Sequence, residues 1–458
     1  MNITLRAADG LHDELMEMAL RPVETAAVLL ARPVPVDASR MVLLAVDLIP
    51  VPDDAYEVRT DQSLQVTSDG YVHALKVARD RGLTALWVHT HPGEGANTRP
   101  SVHDLLVNSE LETLFADRTG SGQYGYLVLG HEAGAITFTG GLTGTVSGPI
   151  SRLSVIGERL VFRGAQDTPD AADLELFDRH IRAFGSQVQA TIGAFSVAVV
   201  GAGGTGSAVA EQLARLGVRS FILIDPDDLS ASNTTRVYGS TPQDVGRPKV
   251  DVLGDHLERV ASGVTTIRIQ SNIIREDVAR ALIGADLVFG CTDDNAGRLR
   301  LSRLPYFYLV PVIDCGVRLD AHDDGSIQSI YGRVTALHPG AACLLCRDRV
   351  DTRLAEAEVR SEAEQRKLEK DGYAPALPGT EPAVVAFTTM VAAATVNELL
   401  ERLIGYGDPD RPSELLLRVH DRSISGNHQA SRPGCYCDPA DPKVGTDRDM
   451  YLGLNWIS

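Results

Sequence analysis

Apolar positions fall at two spacings along the first third of the chain. Leu11, Leu15, Met18 and Ala19 share one side of a helix predicted over residues 10–22, which Pro22 interrupts. Glu24 opens an apolar run ending near Ala31, and Met41–Ile49 repeats it; both predict strands. A helix over Ser68–Arg81, closed by Gly82, leads to a strand over Thr84–His91 and a helix over Leu105–Phe115. Asp117–Gln123 reads as a loop. Tyr124–Leu129 and Ala135–Phe138 read as a hairpin about Gly130–Gly134, and Leu153–Val161 as one final strand.

From Phe195 the pattern changes to short apolar strands alternating with helices. Strands are expected at Phe195–Val200, Phe221–Ile224, Thr266–Gln270, Asp286–Gly290 and Pro311–Cys315. Helices are expected at Ala208–Leu216, Arg275–Ile283 and from Ala296 to Leu304. That alternation predicts an α/β fold with a doubly wound, mainly parallel sheet. Ser329–Leu337 adds a later strand, Ala383–Ile404 a long apolar helix, and Glu414–His420 a last strand.

The 458 residues suffice for two or three domains, and no apolar run approaches the ~20 residues of a membrane span. The boundaries expected are a first domain over 1–165, a linker over 166–171, a second domain over 172–440 and a tail over 441–458. The opening residues lack the basic and apolar regions of a signal peptide, so a cytoplasmic location is expected. A net charge of −18 argues against a nucleic-acid partner. Six cysteines in a chain of this length do not make a disulfide scaffold.

Candidate chemistry is densest after the strand Phe195–Val200. Gly201, Gly203 and Gly206 form G-x-G-x-x-G between that strand and a helix, a context that lets backbone N–H groups approach a phosphate. Asp225 ends the next strand, where a carboxylate suits a ribose hydroxyl. The motif alone fits a nicotinamide site too. Asp227, Asn233, Arg236 and Lys249 follow, and Thr292-Asp293 with Arg298 comes later. Hydride transfer has no need of that set. Nucleotidyl transfer needs cations for charge developing on a phosphate and a carboxylate for magnesium.

These motifs resemble the ThiF/MoeB and ubiquitin-activating enzyme superfamily: Gly201–Ser207 including Gly204, Asp225/Asp227, Asn233/Arg236/Lys249, and Thr292-Asp293 with Arg298. The resemblance implies a Rossmann-like domain that uses ATP and magnesium, the latter at Asp293, to adenylate the C-terminal carboxylate of a ubiquitin-like β-grasp protein. It further implies a homodimer in which Arg179, in Phe177-Asp178-Arg179-His180, reaches the neighbouring subunit's ATP. As a lone residue, Arg179 also reads as an exposed helix arginine.

A second constellation lies earlier. His89 and His91 flank Thr90 on a strand, where i and i+2 share a face, and Ser101-x-x-Asp104 enters the next helix. Two histidines and a carboxylate are a ligand set for a catalytic zinc. Each piece also has a plainer reading: a chance pair, a capping box at Ser101, a surface charge at Glu24. Taken together they resemble the JAB/JAMM metalloproteases, whose pattern is Glu, then H-S/T-H-P, then S-x-x-D. The resemblance implies an α/β peptidase domain with His89, His91 and Asp104 as zinc ligands. Glu24 would be the general base and Ser101 an oxyanion stabiliser. The stretch from His91 to Ser101 is longer than the family's usual spacing and carries Gly93 and Gly95. His103 is expected to face solvent.

Cys343-x-x-Cys346 and Cys435-x-Cys437 offer four thiolates for a closed structural zinc site. Many ThiF/MoeB-like proteins carry two CxxC pairs there, so the CxC departs from the pattern; a redox CxxC is the other reading. Cys291 and Cys315, at strand ends, read as buried inert thiols. Residues 351–382, the expected crossover region, hold no cysteine, so adenylation without a thioester on this chain is expected. The expected function is bifunctional: activation of a ubiquitin-like modifier, and cleavage after its C-terminus. The product would pass to a separate conjugating enzyme or, alternatively, a sulfur donor. More distant alternatives are an NAD-dependent oxidoreductase and a non-catalytic scaffold.

Overall fold

The computed structural model describes residues 1–164, 171–322, 324, 326–360, 364, 383–408, 410–447 and 450–456. The chain divides into two compact units, Met1–Gln166 and Asp167–Ser458.

The first unit contains strands β1 (Asn2–Ala8), β2 (Ala26–Pro35), β3 (Arg40–Pro50), β4 (Tyr56–Arg59) and β5 (Leu64–Val66). It continues with β6 (Thr84–Glu94), β7 (Gln123–Glu132), β8 (Ala135–Gly144), β9 (Gly148–Ile156) and β10 (Leu160–Gly164). Its helices are α1 (Asp9–Ala19), α2 (Asp69–Arg81) and α3 (Val102–Thr119). The main sheet runs β1-β3-β2-β6-β7-β8-β9-β10, and β1 also pairs with β9, so it closes on itself. β2 is apolar on both faces for a reason. Ala27, Leu29 and Ala31 pack with Leu15 and Met18 of α1, whereas Ala26, Val28 and Leu30 pack with Ala74 and Ala78 of α2 and Phe115 of α3. β6 follows the same alternation: Leu86 and Val88 join the α1 side, Ala85 and Trp87 the α2/α3 side.

Four readings change here. β1 was not anticipated; Thr4 and the buried Arg6 interrupt its apolar run of Ile3, Leu5 and Ala7. Leu153–Val161 is two antiparallel strands, β9 and β10, because the chain reverses at Gly157–Arg159. The expected loop Asp117–Gln123 is largely ordered: α3 extends to Thr119, capped by a left-handed Gly120, and Gln123 starts β7. The small β4–β5 hairpin is an addition.

The second unit holds β11 (Ser196–Val200), β12 (Ser220–Ile224), β13 (Thr265–Ile269) and β14 (Leu287–Gly290). It continues with β15 (Val312–Ala321), β16 (Ile327–Leu337), β17 (Glu414–Arg418) and β18 (Ser423–Asn427). Its first helices are α4 (Ala171–Leu176), α5 (Asp178–Phe184), α6 (Ser186–Gly193), α7 (Gly204–Leu216) and α8 (Lys249–Val260). Then come α9 (Glu276–Arg280), α10 (Asn295–Leu301), α11 (Leu304–Tyr308), α12 (Thr352–Glu358) and α13 (Val385–Ile404). The sheet order is β13-β12-β11-β14-β15-β16-β17-β18. Strands β13 to β15 are parallel, as the alternating pattern predicts, and β15 to β18 continue antiparallel. Glu414–His420 is therefore not the last strand. The stretch read as a tail is packed in: Leu452 is buried and the Tyr451 hydroxyl donates to the Ala279 carbonyl at 2.9 Å. The predicted linker falls mostly outside the described residues, as do residues 365–382 of the expected crossover region. Among the described residues, no helix is long and apolar enough to cross a membrane.

Candidate functional site

In the second unit the glycine turn joins β11 to α7. Gly201 adopts φ +98°, and a Cβ there would meet the Cys291 carbonyl oxygen at 2.5 Å. A Cβ on Gly206 would collide with the Gly201 carbonyl oxygen. Gly203 differs: it is the N-cap of α7, and a Cβ there would meet nothing within 4 Å. It faces a cavity of about 840 Å³. The helix N-terminus thus offers unpaired N–H groups to open space, a ready anion cradle.

The other motif residues converge on that cavity. Asp225, at the end of β12, accepts the N–H of Ala202 at 2.7 Å and of Asp227 at 2.9 Å. Burial pushes its pKa up and Lys249 opposes the shift. Lys249 opens α8 with its Nζ 2.7 Å from Asp227 Oδ2 and 3.7 Å from Asp225 Oδ1. Asn233 is the third residue of a short 3-10 turn capped by Ser230, and its Oδ1 accepts the Ser230 N–H at 3.0 Å. The Arg236 stem lies beside Gly204, where a Cβ would sit 3.2 Å from its Cγ and Cδ. Asp293 is exposed on the cavity wall beyond β14, and Arg298 of α10 lines the same wall. Arg236, Lys249, Arg298, a helix N-terminus and the exposed Asp293 around one cavity fit a nucleoside triphosphate with its metal.

Cys291 and Cys315 also line the cavity, with their sulfurs 3.6 Å apart. The hydrogen bond with Cys315 and burial both push the Cys291 thiol well up. Cys291 is therefore not a ready nucleophile, and Cys315 is buried. Arg179 is exposed on α5 and is not part of the cavity wall; its Phe177 and His180 neighbours stack at 5.6 Å. Arg318, Tyr331, Arg333 and Arg418 line the cavity too, and motif reading singled out none of them.

In the first unit, the alternation of β6 carries His89 and His91 onto the α2/α3 side, where α3 begins. His89 Nε2 lies 3.3 Å from Asp104 Oδ1 and His91 Nε2 lies 3.4 Å from Asp104 Oδ2. Ligands bound to tetrahedral zinc at about 2.0–2.1 Å are about 3.3–3.4 Å apart, so these separations fit the ion. Among the described residues neither ring nitrogen of buried His89 makes a well-formed hydrogen bond, and its Nε2 faces the Asp104 carboxylate, an arrangement that two ligands of one metal would share. His91 Nδ1 lies 2.7 Å from the Asn97 carbonyl oxygen, which fixes the ring with Nε2 inward. Against the push of burial, the two imidazoles hold the Asp104 carboxyl far below its usual range. The Asp104 hydrogen bond raises the His91 pKa. Glu24, half-buried just before β2, lies within the field of all three ligands, and burial raises its pKa. Ser101 is the N-cap of α3, and His103 is exposed.

The four cysteines form a second cluster whose ligand atoms all lie within 4.8 Å of one another. Cys343 and Cys435 sulfurs are 3.6 Å apart, and those of Cys346 and Cys437 3.5 Å. Thiolates about 2.3 Å from tetrahedral zinc are about 3.8 Å apart, so the CxC spacing still fits a closed site. The cluster follows β16 and β18 rather than a strand-to-helix turn, which disfavours the redox reading.

A model of the ThiF family matches residues 177–436. The chain belongs to the ThiF family. Similar proteins include the SAMP-activating enzyme E1 of Haloferax volcanii, 27% identical over 179 residues, which are 39% of this chain and 63% of that one. The molybdopterin-synthase adenylyltransferase of Salmonella typhimurium is 32% identical over 133 residues, 29% of this chain and 53% of that one. A crystal structure of E. coli MccB with ATP aligns at 19% identity over 58% of this chain and 75% of that one, with a TM-score of 0.45. This ThiF-family chain thus spans between 53% and 63% of the length of the two curated relatives.

Proposed function

We propose that the ThiF-family unit adenylates the C-terminal carboxylate of a ubiquitin-like or sulfur-carrier β-grasp protein. The observation that carries this is the convergence of Arg236, Lys249 and Asp293 on the open cradle at Gly203. The relatives' names, an activating enzyme and an adenylyltransferase, support it. A carboxylate oxygen of the tail attacks the α-phosphorus of ATP, an acyl–phosphate bond forms, and the bond to pyrophosphate breaks. Backbone N–H groups at the start of α7 orient the phosphates. Lys249 and Arg236 stabilise charge on the phosphate oxygens. Asp225 orients the ribose, and Asp293 would hold magnesium, which supplies further charge neutralisation. The inert Cys291–Cys315 pair favours release of the adenylate to a separate acceptor over a thioester on this chain. Conjugation through a separate enzyme is the preferred fate. Thiocarboxylate formation is the second reading, favoured by the name of a further relative, the sulfur carrier protein ThiS adenylyltransferase of E. coli. In a homodimer Arg179 would serve the partner's site.

For the first unit we propose zinc-dependent hydrolysis of a peptide or isopeptide bond after the same C-terminus, for processing or deconjugation. His89, His91 and Asp104 would hold the zinc, which would supply Lewis-acid chemistry for hydrolysis. Glu24 takes a proton from water and returns it to the leaving amine. The Ser101 hydroxyl, whose proton stays free while its oxygen accepts the Asp104 N–H, can donate to the developing oxyanion.

The test is intact mass spectrometry of a candidate β-grasp protein incubated with the chain, with and without ATP–magnesium. Expected are loss of residues after a glycine without ATP, and an AMP adduct with it. Glu24→Gln should cut cleavage at least about 100-fold and leave the adduct; Asp293→Asn should do the reverse. Loss of both activities in either folded variant would refute two independent sites.

A further inference from the structure

Asp293 belongs to the short connection from β14 to α10, and α12 holds that connection from outside the cavity. Thr292 donates its hydroxyl to the Asp294 carboxylate, and Asp294 caps α10 by accepting the Gly297 N–H. Glu358, the last residue of α12, takes the donor before it: its Oε2 accepts the Ala296 N–H at 2.7 Å. Its Oε1 accepts the Asn295 side-chain N–H at 3.1 Å. Asn295 Oδ1 in turn accepts the Asp351 N–H at 2.9 Å, so both ends of α12 hold the first residue of α10. Gly297 leaves that turn no slack, since a Cβ there would come within 2.9 Å of Ile273, a residue of the cavity wall.

Glu358 is badly placed for its own helix. At the C-terminus of α12 a carboxylate meets the negative end of the helix dipole, whereas the positive end of α10 draws it across. Arg300, buried in α10, attracts Glu358 and Asp294 alike. A residue serving α12 alone would be cationic in that last turn. The side chain is therefore placed for α10. Asp293 is exposed to the cavity, while Thr292 before it and Asp294 after it are both tied down. A carboxylate held by its chain neighbours keeps its direction with no partner of its own, which suits a metal ligand. Glu358 is not part of the cavity wall, so any effect it has on the site passes through the start of α10.

Resting on the adenylation reading, we propose that Glu358 is a positioning residue of the magnesium site: by bonding the first turn of α10 it sets the direction of the Asp293 carboxylate, and α12 must be docked for the divalent cation to bind well.

The probe is a fluorescent ATP analogue, N-methylanthraniloyl-ATP, titrated with the full chain while magnesium is varied. The parent should bind it more tightly at saturating magnesium than in magnesium-free buffer. Glu358→Ala should raise the magnesium concentration needed for half of that gain about tenfold or more. Glu358→Gln keeps an oxygen for the Ala296 N–H and should fall between the two, and it keeps the test open if the alanine variant unfolds. In an Asp293→Asn background, Glu358→Ala should change the magnesium response no further, because it acts through that carboxylate. A general loosening of the fold would instead weaken binding in both buffers and add to the Asp293→Asn effect. A magnesium response equal to the parent's in both Glu358 variants, or effects that add in the double variant, would overturn the proposal. The two readings fail separately. A parent that binds no nucleotide sinks adenylation and this proposal together, whereas magnesium-dependent binding that ignores Glu358 sinks only the positioning role.

Discussion

Ser101 and Asp104 close a reciprocal box at the head of α3: Asp104 Oδ2 accepts the Ser101 N–H at 2.6 Å, and Ser101 Oγ accepts the Asp104 N–H at 3.1 Å. The carboxylate so fixed is the one that reaches His89 and His91. The cap thus also fixes the carboxylate proposed as a ligand, so the plain reading of Ser101-x-x-Asp104 is compatible with the functional one. Ser101→Ala should cost about 1 kcal/mol as a lost cap and weaken zinc binding at the histidine site about tenfold or more. Thermal unfolding and chelator competition measure the two effects. Zinc affinity unchanged in the variant would separate capping from ligand placement.

Gly203 and Gly206 should respond oppositely to one added methyl. Gly203→Ala meets no atom, so its Tm should match the parent while nucleotide affinity falls about tenfold or more. Gly206→Ala drives a Cβ into the Gly201 carbonyl, so its Tm should fall by about 3–10 °C. Differential scanning calorimetry with a fluorescent ATP analogue distinguishes them. A Gly203→Ala protein that binds nucleotide normally would place the phosphates elsewhere.

Zinc content should split by unit. The parent should carry two equivalents. His91→Ala should lose one with little change in unfolding of the second unit. Cys346→Ser should lose the other and lower the Tm of that unit by several degrees. Elemental analysis with calorimetry reads both, and a metal-free parent with full stability would contradict a structural role for the four thiols.

His338 gives the second unit an acid-sensitive element. Burial lowers its pKa to about 3, and its Nε2 has no hydrogen-bond partner among the described residues. With an unfolded value near 6.5, the unfolded chain binds the extra proton as pH falls. The neutral ring's contribution is therefore complete above pH 6.5 and lost on the way down to about 3. Glu414, held at about 2 by Arg349 and Asn427 despite its burial, loses its contribution only below about 4.5. Between pH 6.5 and 4.5 the slope of Tm against pH should be shallower in His338→Phe than in the parent. An identical slope would show that His338 does not titrate across unfolding.

How much of this was legible depends on how far each feature reaches along the chain. His89 and His91 needed only the period of one strand, and Gly201–Gly206 only a turn between neighbouring elements. Glu24, Asp104, Arg236, Lys249 and Asp293 were legible through family motifs, because nothing local says that they meet. The row Arg318–Tyr331–Arg418, paired across β15, β16 and β17 at the cavity, had no such signal. It exists only once three strands spread over about 100 residues take one register, and a shift of one residue would turn Tyr331 to the opposite face. The β9–β10 reversal was hidden because a Gly-Glu-Arg turn is short and apolar residues, Val155-Ile156 and Leu160–Phe162, flank it directly. β18 was missed for the converse reason: Ser423–Asn427 is a polar edge strand with only Ile424 to announce it.

The four-thiol cluster has one further consequence. Residues 343 and 437 are far apart in sequence but nearly touch, so everything between them is a single excursion with its feet pinned together. That excursion includes α13, which reaches the cavity through Thr388, and β17, which brings in Arg418. Closing so long a loop costs entropy only once. Thereafter these two parts of the cavity wall share a fixed origin, like two leaves on one hinge pin. Loss of the pin would loosen that side of the cavity while leaving the parallel strands and their glycine turn assembled.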